Sequence, residues 1–110
     1  MTRYILDGAG EPIPCDDLLQ WGRWLVTHDR TLARDRDESG RTPVLVSTVF
    51  LGLDHQFGAG PPILWETMIF GRSGAELYCE RYATRADALA GHQRACTRAA
   101  ALAAGAPVTD

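Results

Sequence analysis

Val44-Leu-Val-Ser-Thr-Val-Phe-Leu-Gly-Leu53 and Ile63-Leu-Trp-Glu-Thr-Met-Ile-Phe70 are the two stretches on which the fold turns. Both are rich in β-branched and aromatic residues, whose side chains suit a pleated, packed surface. Between them, Asp54-His-Gln-Phe-Gly-Ala-Gly-Pro-Pro62 holds two glycines and two prolines that interrupt regular structure. The reading is an antiparallel hairpin, 44–53 against 63–70, with an elaborated nine-residue tip. Paired across that tip, one face carries Ser47, Val49, Leu51 and Leu53 beside Ile63, Trp65, Thr67 and Ile69. The other carries Thr48, Phe50 and Gly52 beside Leu64, Glu66, Met68 and Phe70. Both faces are largely apolar, so the hairpin is expected to be central and covered on both sides.

Outward from this centre, Gly71-Arg-Ser-Gly74 makes a turn and Glu76 to Ala83 reads as a further strand, extending a meander. Thr84 then opens a helix over about 84–104, with Asp87 three positions on as an acidic capping partner and Leu89, His92, Cys96, Ala99 and Ala103 along one stripe. On the other side, Arg3-Tyr-Ile-Leu6 reads as a short strand closed by Asp7-Gly-Ala-Gly10, and Pro12 and Pro14 stiffen the approach to a first helix over about 15–28. Cys15-Asp16-Asp17 supply its cap and acidic first turn, and Leu18, Trp21, Gly22 and Leu25 recur at core-facing spacing. The interleaved acids and arginines from His28 to Arg41 neutralise one another and read as a solvated connection or edge strand, turning near Ser39-Gly40. The expected architecture is one α+β domain over 1–104: an antiparallel three- to four-stranded sheet packed with two helices, and a frayed tail over 105–110.

At 110 residues the chain is the size of a single domain, and its 45% hydrophobic and 23% charged content is ordinary for globular proteins. The N-terminus meets acid and glycine before any apolar run of signal-peptide length, the longest apolar stretch, Pro43 to Leu53, is too short to span a bilayer, and three scattered cysteines match no zinc or Cys-x-x-Cys pattern, so reduced structural thiols and a cytoplasmic location are expected. All 11 basic residues are arginine, which, with no lysine or asparagine and much alanine, points to a GC-rich coding sequence rather than to arginine-specific chemistry. A formal charge of −3 with no basic run argues against general nucleic-acid binding.

Among residues that carry chemistry, Glu66 stands out because a carboxylate within an apolar strand must find a cation or hydrogen bonds, from Thr48, a backbone amide or an arginine. In the 54–62 loop, Asp54 and His55 suit turn bonds or a titrating contact, while Phe57 offers an apolar lip. Asp54, His55, Phe57, Trp65 and Glu66 together form the candidate binding surface. No catalytic set is legible: no Gly-x-Ser-x-Gly elbow, Cys-His motif, Walker loop or dinucleotide fingerprint is present. His55, Glu66 and His92 are the donors to consider for a metal, but they come from separate elements with no diagnostic spacing, and no metal or other cofactor is expected.

The segment Ser47-Thr-Val-Phe-Leu-Gly-Leu-Asp-His-Gln-Phe-Gly-Ala-Gly-Pro-Pro-Ile-Leu-Trp-Glu-Thr-Met-Ile-Phe-Gly71, preceded by Tyr4-Ile-Leu and Pro14-Cys-Asp-Asp-Leu, resembles a group of small uncharacterised proteins of bacteriophages and actinobacterial prophages. The resemblance runs from about Arg3 to His92 and is weakest in the arginine-rich connection. It implies a phage-type accessory setting and no catalytic residues. The leading expectation is therefore a non-catalytic binding protein that engages a protein partner through the 54–62 loop and adjoining sheet. The alternatives are capture of a small nucleotide-type ligand under the same loop, and, more weakly, a hydrolase using Glu66 with His55 or His92. Self-association is a further expectation, since a small two-faced sheet exposes apolar surface.

Overall fold

A computed structural model describes residues 2–105; of the expected tail over 105–110, all but Gly105 lies outside the described residues. The chain builds β1 (Tyr4–Leu6), β2 (Pro12–Pro14), α1 (Leu18–Thr27), β3 (Thr31–Asp37), β4 (Val44–Phe50), β5 (Trp65–Phe70), β6 (Glu76–Tyr82) and α2 (Arg85–Ala103). A single 3-10 turn, Arg72–Gly74, joins β5 to β6. The fold is α+β, with an antiparallel four-stranded meander β3-β4-β5-β6 and a separate two-stranded hairpin β1-β2. Pro12-Ile-Pro14, read from sequence as a stiff approach to the helix, is thus a strand. It pairs with β1 through Tyr4↔Pro14, Ile5↔Ile13 and Leu6↔Pro12, a short pairing that tolerates two residues without an N–H.

Helix ends follow local chemistry. The Asp17 carboxylate accepts from the Leu19 and Gln20 amides and caps α1, and the Thr84 hydroxyl accepts from the Asp87 amide and caps α2. The stripe that α2 buries is Ala88, Gly91, His92, Ala95 and Ala99, while Leu89, expected inside, is exposed. Small residues let the helix lie close to the sheet. At Gly91 a β-carbon would fall 2.1 Å from the Tyr82 hydroxyl, so the ring of Tyr82 occupies the space a side chain would need.

The hairpin forms over the expected segments, but one residue out of the expected register. Phe50 pairs with Trp65, Thr48 with Thr67 and Val46 with Ile69. These residues, with Val44, share the face that packs under α2, and they are buried. The opposite face carries Leu45, Ser47, Val49, Glu66, Met68 and Phe70; all are half-buried and neither core cluster draws on them. The expectation of a hairpin buried on both sides is corrected accordingly. The physical reason lies at Gly52, whose backbone takes a positive φ of 78° and turns the chain out of the β4–β5 ladder. From there Leu53 bridges to Arg3, the Tyr4 amide donates to the Gly52 carbonyl and the Trp21 indole donates to the same oxygen. The end of β4 therefore belongs to the N-terminal lobe of β1, β2 and α1.

Two apolar clusters make the core. Val44, Val46, Ile69, Ala95 and Ala99 form one, and Phe50, Leu64, Trp65, Tyr82 and Ala88 the other, joined by Trp24 of α1, whose ring meets Phe50 edge-on at 5.8 Å. Between them the Thr48↔Thr67 row crosses the sheet, with His92 above it. All three are buried, so the core is two apolar halves separated by a polar layer.

Candidate functional site

The 54–62 loop is closed by its own first residue. Asp54 Oδ1 accepts from the Gln56 amide at 2.7 Å and from the Ile63 amide at 2.9 Å, the His55 amide donates to the Ile63 carbonyl, and the Gln56 side chain donates to the Pro61 carbonyl. These bonds satisfy backbone groups that a turn of this shape leaves without ladder partners. The loop thereby holds Phe57 out in water, 80% exposed. Asp54 acts as the clamp, and His55 is half-buried beside it.

Trp65 and Glu66, the other members of the expected surface, lie elsewhere. Trp65 is buried in the core beneath the helices, its ring 5.1 Å from Phe50, and offers no surface to a partner. Glu66 sits on the half-exposed face and finds its cation in Arg81 on the neighbouring strand, at 2.8 Å. His92 is on the opposite, helix-covered face, so the sheet separates it from Glu66, and the set His55, Glu66 and His92 does not converge on a metal or a substrate.

The Cys79 thiol donates to Glu66 at 3.6 Å. Desolvation first, and then the Glu66 carboxylate, push this thiol up to about 11. Fewer thiolates, partly offset by the greater nucleophilicity of a more basic sulfur, should make alkylation of Cys79 at pH 8 on the order of tenfold slower than that of an unperturbed thiol. Glu66→Gln should recover part of that rate. Peptide mapping after timed iodoacetamide exposure reads it out, and equal rates in the two proteins would remove the carboxylate from the account.

A second constellation crosses the core. The Asp35 carboxylate on β3 lies 2.7 Å from His92 Nε2; His92 Nδ1 lies 2.7 Å from the Thr48 hydroxyl; Thr48 and Thr67 share a hydrogen bond of 2.5 Å. The bond from His92 holds the Asp35 carboxyl below its usual range, against an opposing effect of desolvation. On the far side of Thr67, Glu80 accepts from the hydroxyls of Tyr82 and Tyr78 and from Arg94. Burial raises Glu80, but those three donors outweigh it and leave its carboxyl lowered. Burial likewise pushes the Tyr82 phenol up to about 12. Cys96, one turn after His92, places its sulfur 3.6 Å from Asp35. Asp35, His92 and Cys96 are the group of three among the described residues whose donor atoms lie within metal-binding reach of one another. In the sequence only His92 stood out; Asp35 was one acid in a self-neutralising run, and its partner is 57 positions away.

Surface apolarity is concentrated as well. Of the six large apolar side chains exposed among the described residues, Ile13, Leu18, Leu19, Val26 and Phe57 belong to the N-terminal lobe and the loop hooked to it, and only Leu89 does not. Leu18, expected to face the core, is among them. The acids Glu11 and Asp16 are exposed in the same lobe. A cleft of about 770 Å3 lies away from the 54–62 loop, lined by Arg41, Val44, Arg72, Leu77 and the end of α2. No described helix is long and apolar enough to cross a membrane. No protein-family model, curated protein or solved structure matches the chain.

Proposed function

We propose that this chain is a non-catalytic, protein-binding module whose contact surface is the N-terminal lobe together with the 54–62 loop, acting in the bacteriophage or prophage setting suggested by its 47–71 segment. The observation that carries this reading is the apolar exposure of α1 and the loop: Leu19 is 78%, Val26 83% and Phe57 80% exposed. Water makes such exposure unfavourable, and apolar side chains gathered on one lobe are the mark of a surface that a partner covers. The loop adds preorganisation. Because Asp54 already fixes its shape, docking Phe57 costs little loop entropy, which is how a rigid aromatic becomes a strong anchor. A matching partner offers apolar pockets with a basic margin facing Glu11 and Asp16.

The test is affinity capture from an actinobacterial lysate with the full chain as bait, compared with Phe57→Ser and with Leu19→Ser/Val26→Ser. These surface changes should leave thermal stability within about 0.5 kcal/mol of wild type. The expected result is a protein retained by wild type and lost from both variants. Retention of the same set of proteins by all three baits would refute the assignment of this surface.

A further inference from the structure

We propose that Asp35, His92 and Cys96 form a mononuclear site for a divalent transition metal of the zinc class. His92 and Cys96 are four residues apart on α2 and so project from one face, one turn apart, toward β3, where Asp35 stands on the helix side of the sheet opposite Val46. All three donor atoms lie within 4.8 Å of one another. A tetrahedral metal at ordinary bond lengths sets a carboxylate oxygen and a thiolate sulfur about 3.6 Å apart, and an oxygen and an imidazole nitrogen about 3.4 Å apart. The Asp35–Cys96 separation is already 3.6 Å, and the Asp35–His92 separation is 2.7 Å. For the ion to insert, the carboxylate withdraws by somewhat less than about 1 Å from the ring, and the Cys96 sulfur already stands within 4.8 Å of the ring nitrogen. Asp35 has that freedom, because its side chain is 61% exposed on an edge strand.

The ring, by contrast, is fixed. His92 is buried, and Thr48, itself bonded to Thr67, holds Nδ1 and so aims Nε2 at Asp35 and Cys96, the arrangement by which an outer hydrogen bond orients a ligating histidine. The same two hydroxyls accommodate the proton that ligation displaces. Without metal, Nε2–H donates to Asp35 and Nδ1 accepts from Thr48. With metal on Nε2, the neutral ring carries its proton on Nδ1 and donates it to Thr48, whose hydroxyl turns to donate to Thr67. Either threonine oxygen can be the donor in that pair, and the Thr67 proton then turns to the Tyr82 hydroxyl, so the chain can reverse without leaving a donor unpartnered. Ligation releases the Cys96 thiol proton to solvent. A mixed sulfur, nitrogen and oxygen set selects zinc or cobalt over magnesium or calcium. Three protein donors leave a fourth position for water, on the side where Asp35 is exposed.

The test is titration of the full chain with Co2+, followed in the near ultraviolet. The expected result is a thiolate-to-cobalt charge-transfer band that saturates at one equivalent, disappears on addition of Zn2+ and persists in Cys79→Ser. Cys96→Ser should abolish the band, and Asp35→Asn should weaken binding by about tenfold or more. Circular dichroism checks that both variants are folded, and a rise in the wild-type melting temperature with Zn2+, absent in Cys96→Ser, gives a second readout. Absence of the band in folded wild type, or a band undiminished in Cys96→Ser, would overturn the site.

Discussion

Replacing His92 with leucine should lower the unfolding free energy by about 2–3 kcal/mol, although leucine fills much of the same space. The loss comes from what the imidazole leaves behind. Thr48 and Thr67 are both buried, and each hydroxyl has one proton to give. Without the ring the Thr48 hydroxyl loses its partner and can turn only toward Thr67, which must pass its own proton on to the Tyr82 hydroxyl, and disturbing a buried polar row costs more than one of its bonds contributes. Asp35 adds little to the loss, because an exposed carboxylate returns to water. The same logic predicts a rescue: adding Thr48→Val and Thr67→Val to His92→Leu should restore about 1 kcal/mol or more, since an all-apolar row no longer holds buried hydroxyls that have lost a partner. Urea unfolding of wild type, single and triple variants, each with a chelator present, measures this. A triple variant less stable than His92→Leu alone would mean that the threonines matter for something other than the ring.

Trp65→Ala should be costlier still, at about 4 kcal/mol, enough to leave a domain of this size near the edge of folding at 25 °C. Trp65 is the largest fully buried side chain and stands where both helices meet the sheet, against Phe50 and in one cluster with Tyr82, Ala88 and Trp24. Its removal opens a cavity lined by Phe50, Leu64, Tyr82 and Ala88 from separate parts of the fold, which cannot all move inward at once. Trp65→Phe keeps an aromatic ring against Phe50 and should cost under about 2 kcal/mol. Thermal and urea unfolding distinguish the two, and near-equal losses would show that the site collapses freely.

The strands at 44–50 and 65–70 were legible because β-branched and aromatic runs declare themselves locally. Their register was not. Leu45, Val49, Met68 and Phe70 are as apolar as Val46, Phe50, Trp65 and Ile69, so alternation alone leaves either set a candidate for the core. What distinguishes them is the buried pairing of Thr48 with Thr67 beneath His92, a contact spanning 44 positions of chain. Capping at Asp17 and Thr84 was readable for the opposite reason, since each cap is made within three residues. Asp54 closes the loop and Phe57 stands exposed on it, whereas the exposure of α1 was not foreseen: Trp21 and Leu25 of the expected stripe turn inward with Trp24, but Leu18, spaced to join them, is exposed. The arginine-and-acid run gave no hint that Asp35, alone among its neighbours, would meet a histidine.

That run has one more consequence. β3 and β6 are the outer strands of the meander, and an outer strand with free amides and carbonyls is a template for stacking chain upon chain. β3 presents Arg34, Asp35, Arg36 and Asp37 in succession and is kinked by a bulge between Thr31 and Ala33, while β6 carries Glu76, Glu80 and Arg81 and a second bulge opposite Ile69 and Phe70. An incoming strand would have to bury charges of both signs and follow two irregular margins. The sheet can therefore stop at four strands, because neither margin offers an incoming chain a straight, uncharged edge to pair with.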